Sequence, residues 1–300
     1  MTNAGTATVA LVAEESYNGA TADSPPDWFQ PGVNVDVTGP TIERNQEAVR
    51  QPNTATPSGH RPGQLDVSAT VEFALAGTTQ EWEQLVFDSG SLPTTGGPAP
   101  SFKALFGSQF LDGTDTDQIF SGGIVTGGEI SADQDGNATV SLDMQFAEPD
   151  DSVSVPADGD ISVPSAGAVF PFHAAELSEG GVTQEIVNSV TVSFDSLYRL
   201  RYGLGQVAQE AVVDAVEPSV DIDAVFKPDN QLDIATTGTG DGSVANTTNI
   251  VVTLTNGNGT TQEYALSGAA PESHELSDLV APEEDLTESV TFNGTGLASL

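Results

Sequence analysis

The stretch Leu65-Asp66-Val67-Ser68-Ala69-Thr70-Val71-Glu72-Phe73-Ala74-Leu75 alternates apolar and polar side chains. Leu65, Val67, Ala69, Val71, Phe73 and Leu75 fall on one face of an extended chain and Asp66, Ser68, Thr70 and Glu72 on the other, the period of a half-buried strand. The pattern returns in Val140, Leu142, Met144 and Phe146, in Val190, Val192 and Phe194, in Val220, Ile222, Ala224 and Phe226, and in Ile250, Val252 and Leu254. Strands with one dry and one wet face build antiparallel sheets. Asp133-Gln134-Asp135-Gly136-Asn137 and Asn256-Gly257-Asn258-Gly259 lie between such runs and read as hairpin turns. One helix of about three turns is expected, capped by Thr78 or Thr79, with Trp82, Leu85 and Val86 on one side and Glu81 and Glu83 near its N-terminal end. The expected fold class is therefore mainly β, an antiparallel β-sandwich or half-barrel with one flanking α-helix. Residues 24–62 and 148–171, rich in Pro, Gly, Asn and Asp, read as long irregular loops, which in a compact domain point to function or to ordering by a partner.

Across 300 residues, 44 Asp and Glu stand against 7 Lys and Arg, a formal net charge of −37. Such a chain repels phosphate, which excludes sequence-reading nucleic-acid binders and anionic-membrane binders. The acids are spread along the whole chain, and at molar salt, where the Debye length is about 3 Å, their repulsion is largely screened. A halophilic source is the simplest explanation. Hydrophobic residues make up 37% of the chain, with 13 Phe, enough for a real core. The absence of Cys removes disulfides and thiolate metal sites. No basic segment precedes the short apolar run at the N-terminus, and no stretch approaches the roughly 20 apolar residues of a membrane span.

Catalytic chemistry is not visible. His60, His173 and His274 are scattered, with no nucleophile-elbow or zincin spacing around them, and read as solvated or structurally bonded. Close carboxylate pairs are inevitable among so many acids and so carry no information about glycoside cleavage. Asp133, Asp135 and Asn137 match the start of a calcium loop, but Ala138 stands where Gly is needed and Met144 where the bidentate Glu is needed. Asp112, Asp115 and Asp117 are weak metal candidates, better read as a solvated acidic loop. No catalytic residue and no cofactor is expected. Sequons at Asn137, Asn246, Asn258 and Asn293 matter only in an exported chain.

Several short motifs in a fixed order carry a resemblance. Val190-Thr191-Val192-Ser193-Phe194-Asp195, then Tyr202-Gly203-Leu204-Gly205-Gln206, Glu210-Ala211 and the run from Ser219 to Phe226, is similar to the phage-type tail tube proteins of tailed viruses. Upstream, residues 25–45 resemble that family's variable entry segment, His60-Arg61-Pro62-Gly63-Gln64-Leu65 its entry to the first long strand, and Gly127-Gly128-Glu129-Ile130-Ser131 with Val140 to Phe146 its central hairpin. Pro282-Glu283-Glu284-Asp285-Leu286 and Val290-Thr291-Phe292 resemble its closing strand.

The resemblance implies one tail tube domain over residues 1–300, six subunits to a ring, and strands from all subunits closing an inner barrel for genome ejection. It implies that 24–62 is the loop reaching the next ring, with Arg44, Arg50 and Arg61 as inter-ring contacts on an otherwise acidic chain. Asp66, Ser68, Thr70 and Glu72 become lumen-facing candidates, and 243–266 a possible inserted or decorating hairpin. The implied partners are the chain itself, a tape measure, a tail terminator and baseplate or tip proteins. Viral DNA passes without specific binding, no membrane is involved, and the protein is made in the host cytoplasm and resides in the virion tail. The alternative is a haloarchaeal cell-surface or S-layer-type β-sandwich module, which predicts a leader, glycan on Asn246 or Asn258 and calcium-dependent order. An acidic β-sandwich glycosidase is disfavoured, because Trp28 and Trp82 are the only tryptophans available as sugar platforms.

Overall fold

A computed structural model describes residues 4–49, 52, 56–77, 80–93, 97–110, 115–134, 136–184, 187–225, 247–276 and 287–300. Strand β1 (Ala4–Ala13), the short β2 (Trp28–Phe29) and β3 (Val33–Arg44) precede a small hairpin of β4 (Glu47–Val49) and β5 (Gly59–Arg61). Then follow β6 (Leu65–Ala74), β7 (Phe102–Phe110), β8 (Asp115–Asp133), β9 (Thr139–Phe146), β10 (Glu148–Pro149) and β11 (Ile161–Ser162). Next come β12 (Glu176–Glu179), β13 (Val182–Gln184), β14 (Val187–Asp195) and a second small hairpin, β15 (Tyr198–Tyr202) with β16 (Ala208–Val213). The last strands are β17 (Glu217–Val225), β18 (Thr248–Thr255), β19 (Thr261–Leu276), β20 (Thr287–Asn293) and β21 (Gly296–Ser299).

Apart from the two small hairpins, the strands form one 17-stranded hydrogen-bonded network. Its backbone is a long antiparallel sheet in the order β3-β6-β9-β8-β14-β17-β20-β19. Two smaller sheets share its core: β1, β7 and the first part of β8, and β12, β18 and the first part of β19. The alternation in β6 is obeyed from Leu65 to Phe73, with Val67 and Val71 fully buried and Glu72 exposed, and ends at Ala74, which is buried as well. Phe73, Phe146, Phe194 and Phe292 bring the long sheet's dry face into the same core as Val9, Phe102, Phe120, Ile250 and Tyr264. Of the 243–266 stretch, the described residues 247–266 form the β18–β19 hairpin and contribute to that shared core through Ile250, Val252, Leu254, Tyr264 and Leu266.

The long strands β8 and β19 pass from a small sheet into the long one by turning at Gly122 and Gly268, both at φ +59°. A Cβ on Gly122 would stand 2.7 Å from the Ala147 Cβ, so both backbone and packing demand glycine there. Gly122→Val is expected to lose about 2–4 kcal/mol, combining left-handed strain with overpacking. Denaturant midpoints check this against Gly59→Ala, which points into open space. A Gly122→Val loss no larger than that of Gly59→Ala would refute the bend argument.

Two expectations are corrected. The α-helix at Trp82 is a 3-10 helix, Glu81–Leu85, with no side-chain cap on Gln80, while Thr78 and Thr79 lie outside the described residues. Tertiary contacts win over helix propensity here: Trp82 and Leu85 are buried while Glu81 and Gln84 are exposed, so the dry face repeats every third residue, the period of a 3-10 helix. Glu83 is drawn inward, accepting hydrogen bonds from Tyr264 (2.8 Å), Ser299 (2.9 Å) and Gln262 (3.0 Å). Burial pushes the Glu83 carboxyl above its ordinary range despite those donors. The second correction is the 24–62 stretch, which is not a loop throughout but contains the whole of β3. Val33, Val35 and Val37 alternate as a strand should, and the irregularity between Thr38 and Thr41 interrupts the pattern at Gly39 and Pro40. Proline is tolerated there because β3 is an edge.

Candidate functional site: the hydrophilic face of the long sheet and its edges

Register puts the polar positions of all the long-sheet strands on one side. Ser68 faces Gln145, Thr70 faces Asp143 and Glu72 faces Ser141, while Glu129 faces Ser141 from β8. Ser193 then lies between Glu129 and Ser219, and Asp221 between Thr191 and Thr291. Asp66, Ser68, Thr70 and Glu72 therefore sit on a hydrophilic surface that runs across the molecule. Thr70 Oγ1 donates to Asp143 Oδ1 (2.7 Å), Ser189 Oγ donates to Asp223 Oδ2 (3.1 Å), and Thr291 donates to Asp221. No paired position on this face carries Lys or Arg. Asp36 stands directly opposite Glu72, Glu43 opposite Asp66 and Asp195 opposite Glu217, like-charge neighbours that oppose folding unless salt screens them.

The cations lie elsewhere. Arg44 closes β3 and its Nη1 donates to Gln206 Oε1 (3.4 Å), in the turn between β15 and β16. Arg61 is exposed on β5 opposite Glu47, and Arg50 lies outside the described residues. Arg199 and Arg201, which the sequence reading did not single out, sit half-exposed on β15, 3.2 Å from Asp214 and 3.0 Å from Glu210. The Leu65 N–H donates to the Gln206 carbonyl, and the Tyr202 hydroxyl to the Leu65 carbonyl (2.9 Å). The β15–β16 hairpin thus abuts the start of β6 and the end of β3, gathering Arg44 and the β15 arginines at one end of the long sheet. The available signal was the strand-turn-strand pattern around Tyr202-Gly203-Leu204-Gly205, which places Arg199 and Arg201 on a hairpin arm.

Asp112 lies outside the described residues, whereas Asp115 and Asp117 belong to a strand, paired with Gln109 and Gly107, and not to an acidic loop. Among the described residues no group of three or more His, Asp or Glu could hold a metal ion. His274 is 3.0 Å from Glu288 in a buried pair, and His60 is exposed on β5.

The model of the family described as phage tail tube protein matches residues 5–294. Among solved structures, a chain from the cryo-EM structure of the anti-feeding prophage (AFP) baseplate, 6-fold symmetrised, is similar at 12% identity and a TM-score of 0.31. The similarity covers 42% of this chain and 90% of that one. No curated protein matches. With a family model spanning nearly its entire length, the chain belongs to the phage tail tube protein family.

Proposed function

We propose that this protein is the major subunit of a viral tail tube, copies of which close side by side into rings that stack into the conduit for genome ejection. The observation that carries the reading is the uninterrupted hydrophilic, cation-free face of the long sheet. A wall of Asp, Glu, Ser and Thr, including Asp66, Ser68, Thr70 and Glu72, repels the phosphate backbone and lets DNA slide without being gripped. The end of the long sheet that carries Arg44, Arg61, Arg199 and Arg201 docks on carboxylates of the next ring, and Arg50, which follows β4 in the sequence, is a further candidate for that joint. Leu204, fully exposed in the β15–β16 turn, adds an apolar contact to that joint. Tape measure, terminator and baseplate or tip proteins complete the assembly in the virion tail, after synthesis in the host cytoplasm. The protein acts structurally, without a catalytic step, and its acidity suits a virus of a halophilic archaeon.

Negative-stain electron microscopy of the purified chain in molar salt tests this. Hollow tubes or stacked rings of uniform bore are the expected result. Flat two-dimensional sheets that form on calcium addition, with glycan on Asn258, would overturn it in favour of a surface-layer module.

A further inference from the structure

The pairing order of the first half of the chain is repeated in the second. In the first half β1 lies beside β7, β7 beside β8, β8 beside β9, β9 beside β6 and β6 beside β3, with β10 against the first part of β8. In the second, β12 lies beside β18, β18 beside β19, β19 beside β20, β20 beside β17 and β17 beside β14, with β21 against the first part of β19. A small hairpin is inserted at the same point in each, β4–β5 and β15–β16.

The agreement extends to register. The bend at Gly122 recurs at Gly268, a displacement of 146 residues, with the same φ of +59°. At that same displacement the Phe102–Gly123 pair recurs as Thr248–Ala269, Ala104–Phe120 as Ile250–Leu266, and the irregularity between Val125 and Gly127 as that between Pro271 and Ser273. The Thr70–Asp143 hydrogen bond recurs as Asp221–Thr291 with donor and acceptor exchanged between strands. Independent folding of unrelated segments does not reproduce strand order, bend, bulge and register together.

The two halves meet inside the chain where β8 pairs with β14, Ile130 opposite Val192 and Gly128 opposite Phe194, and there Ile130 and Phe194 are buried at 2% and 0% exposure. The equivalent strands at the ends of the long sheet, β19 and β3, have no strand paired to their outer edges among the described residues. Leu276 occupies the place of Ile130 and Ile42 the place of Phe194, and these are 38% and 49% exposed. Apolar side chains are uncovered where the repeat elsewhere covers them, so the occupant that fits each edge is the opposite edge of another copy.

We infer that the chain is a tandem duplication of one tube unit, that three copies close each ring in place of six, and that β19 of one copy pairs with β3 of the next in the register of β8 with β14. The inference rests on the tube reading. A heterologous, head-to-tail contact of this kind closes a ring when its rotation permits. Copy number follows from barrel size, because strands lie about 4.8 Å apart and tilt roughly 35–45°. Eight long-sheet strands from each of three copies give a barrel roughly 45–50 Å across between backbones, hence a bore of about 35–40 Å once side chains are placed. Six copies double the barrel to about 90–100 Å, and two leave a bore of only about 20–25 Å. A DNA duplex of roughly 20 Å, with grooves about 8 Å deep, passes freely through the three-copy bore, has almost no clearance for its hydration shell in the two-copy one and is left unguided in the six-copy one.

The chain has no cysteine, so a disulfide reads the seam directly. Thr41 is the equivalent of Ser193 and Glu275 of Glu129, and Ser193 faces Glu129 across the internal junction. Directly opposed strand residues have Cβ atoms about 4.5–5.5 Å apart, close enough for a bridge after a small adjustment. The full-length Thr41→Cys, Glu275→Cys variant is assembled in molar salt, imaged, oxidised and run on a denaturing gel. Rings with a covalent ladder that ends at three chains are expected. A ladder ending at six would overturn the copy number, and intact rings with no ladder would overturn the seam. Each single-cysteine variant serves as the control, since neither should yield a ladder. Monomers or flat sheets without rings for both the parent and the variant would overturn the tube reading itself, a failure distinguishable from the other two by microscopy alone.

Discussion

Lys103→Met should lower stability by about 3–5 kcal/mol, the loss expected when one member of a buried ion group is removed. Lys103 is one of two lysines in the chain and its side chain is 5% exposed. Its Nζ donates to Asp150 Oδ2 at 2.7 Å and lies 3.6 Å from Glu14 Oε1, a carboxylate with no exposed side-chain surface. Glu14 in turn accepts the backbone N–H of Gly122 and of Asn18, each at 3.0 Å, so it ties β1 to the bend of β8. Burial raises the Glu14 carboxyl above its ordinary range, against the pull of those amides, Ser101 and Lys103. Burial also acts on Asp150, but its hydrogen bonds from Lys103 and Ser152 outweigh it and hold that carboxyl below its usual range.

The pH dependence follows in sign. A carboxyl lowered by folding stabilises the native state above its unfolded pKa, and this is lost as pH falls through the folded value. A carboxyl raised by folding favours the native state at low pH, and the benefit disappears as pH rises through the folded value. Without Lys103, the Asp150 contribution is gone and Glu14 is left to take up a proton. The gap between variant and parent is therefore larger at pH 8 than at pH 5, read by denaturant midpoints in constant salt. Adding Glu14→Gln to Lys103→Met should recover part of the loss. An equal gap at both pH values, or no recovery, would show that the lysine acts only by filling space.

Phe146→Ala should cost about 3–5 kcal/mol, the range for emptying a buried aromatic site. Phe146 is fully buried on β9, and its ring centroid lies 5.9 Å from Phe102, 5.8 Å from Phe106 and 5.6 Å from Phe120. The contacts to Phe102 and Phe106 are edge-on, at interplanar angles of 81° and 90°, which favours the ring quadrupoles beyond the area buried. These three partners belong to the small sheet of β7 and β8, so Phe146 is the principal bolt between the sandwich layers of the first half. Val163→Ala, at a position 59% exposed, is the control and should stay within about 0.5 kcal/mol of the parent. A Phe146→Ala loss below about 1 kcal/mol would mean that neighbouring rings collapse into the space.

The amino-acid sequence by itself determined the strand periodicity. At β6, β9, β14, β17 and β18 a period of two survives because each strand has one dry and one wet face, and the turn residues after Asp133 and Asn256 mark the hairpins without outside help. It also determined the charge, and with it the character of the hydrophilic face to which Asp66, Ser68, Thr70 and Glu72 belong. Tertiary structure alone decided the rest. Whether Trp82 sits in an α-helix or a 3-10 turn depended on Glu83 reaching Tyr264 and Ser299, contacts about 180 and 216 positions away along the chain. That β3 is a strand rested on pairing with β6 across an irregularity that hides its alternation. The repeat of the first half in the second is carried by register, bends and strand order, while the side chains have diverged: Phe73 of β6 faces the core where Ala224 of β17 does, and Met144 of β9 where Phe292 of β20 does. Backbone hydrogen bonding specifies pairing without specifying side chains, and a core tolerates such exchanges where total volume is kept, which is why the duplication is legible in the fold and silent in the residues.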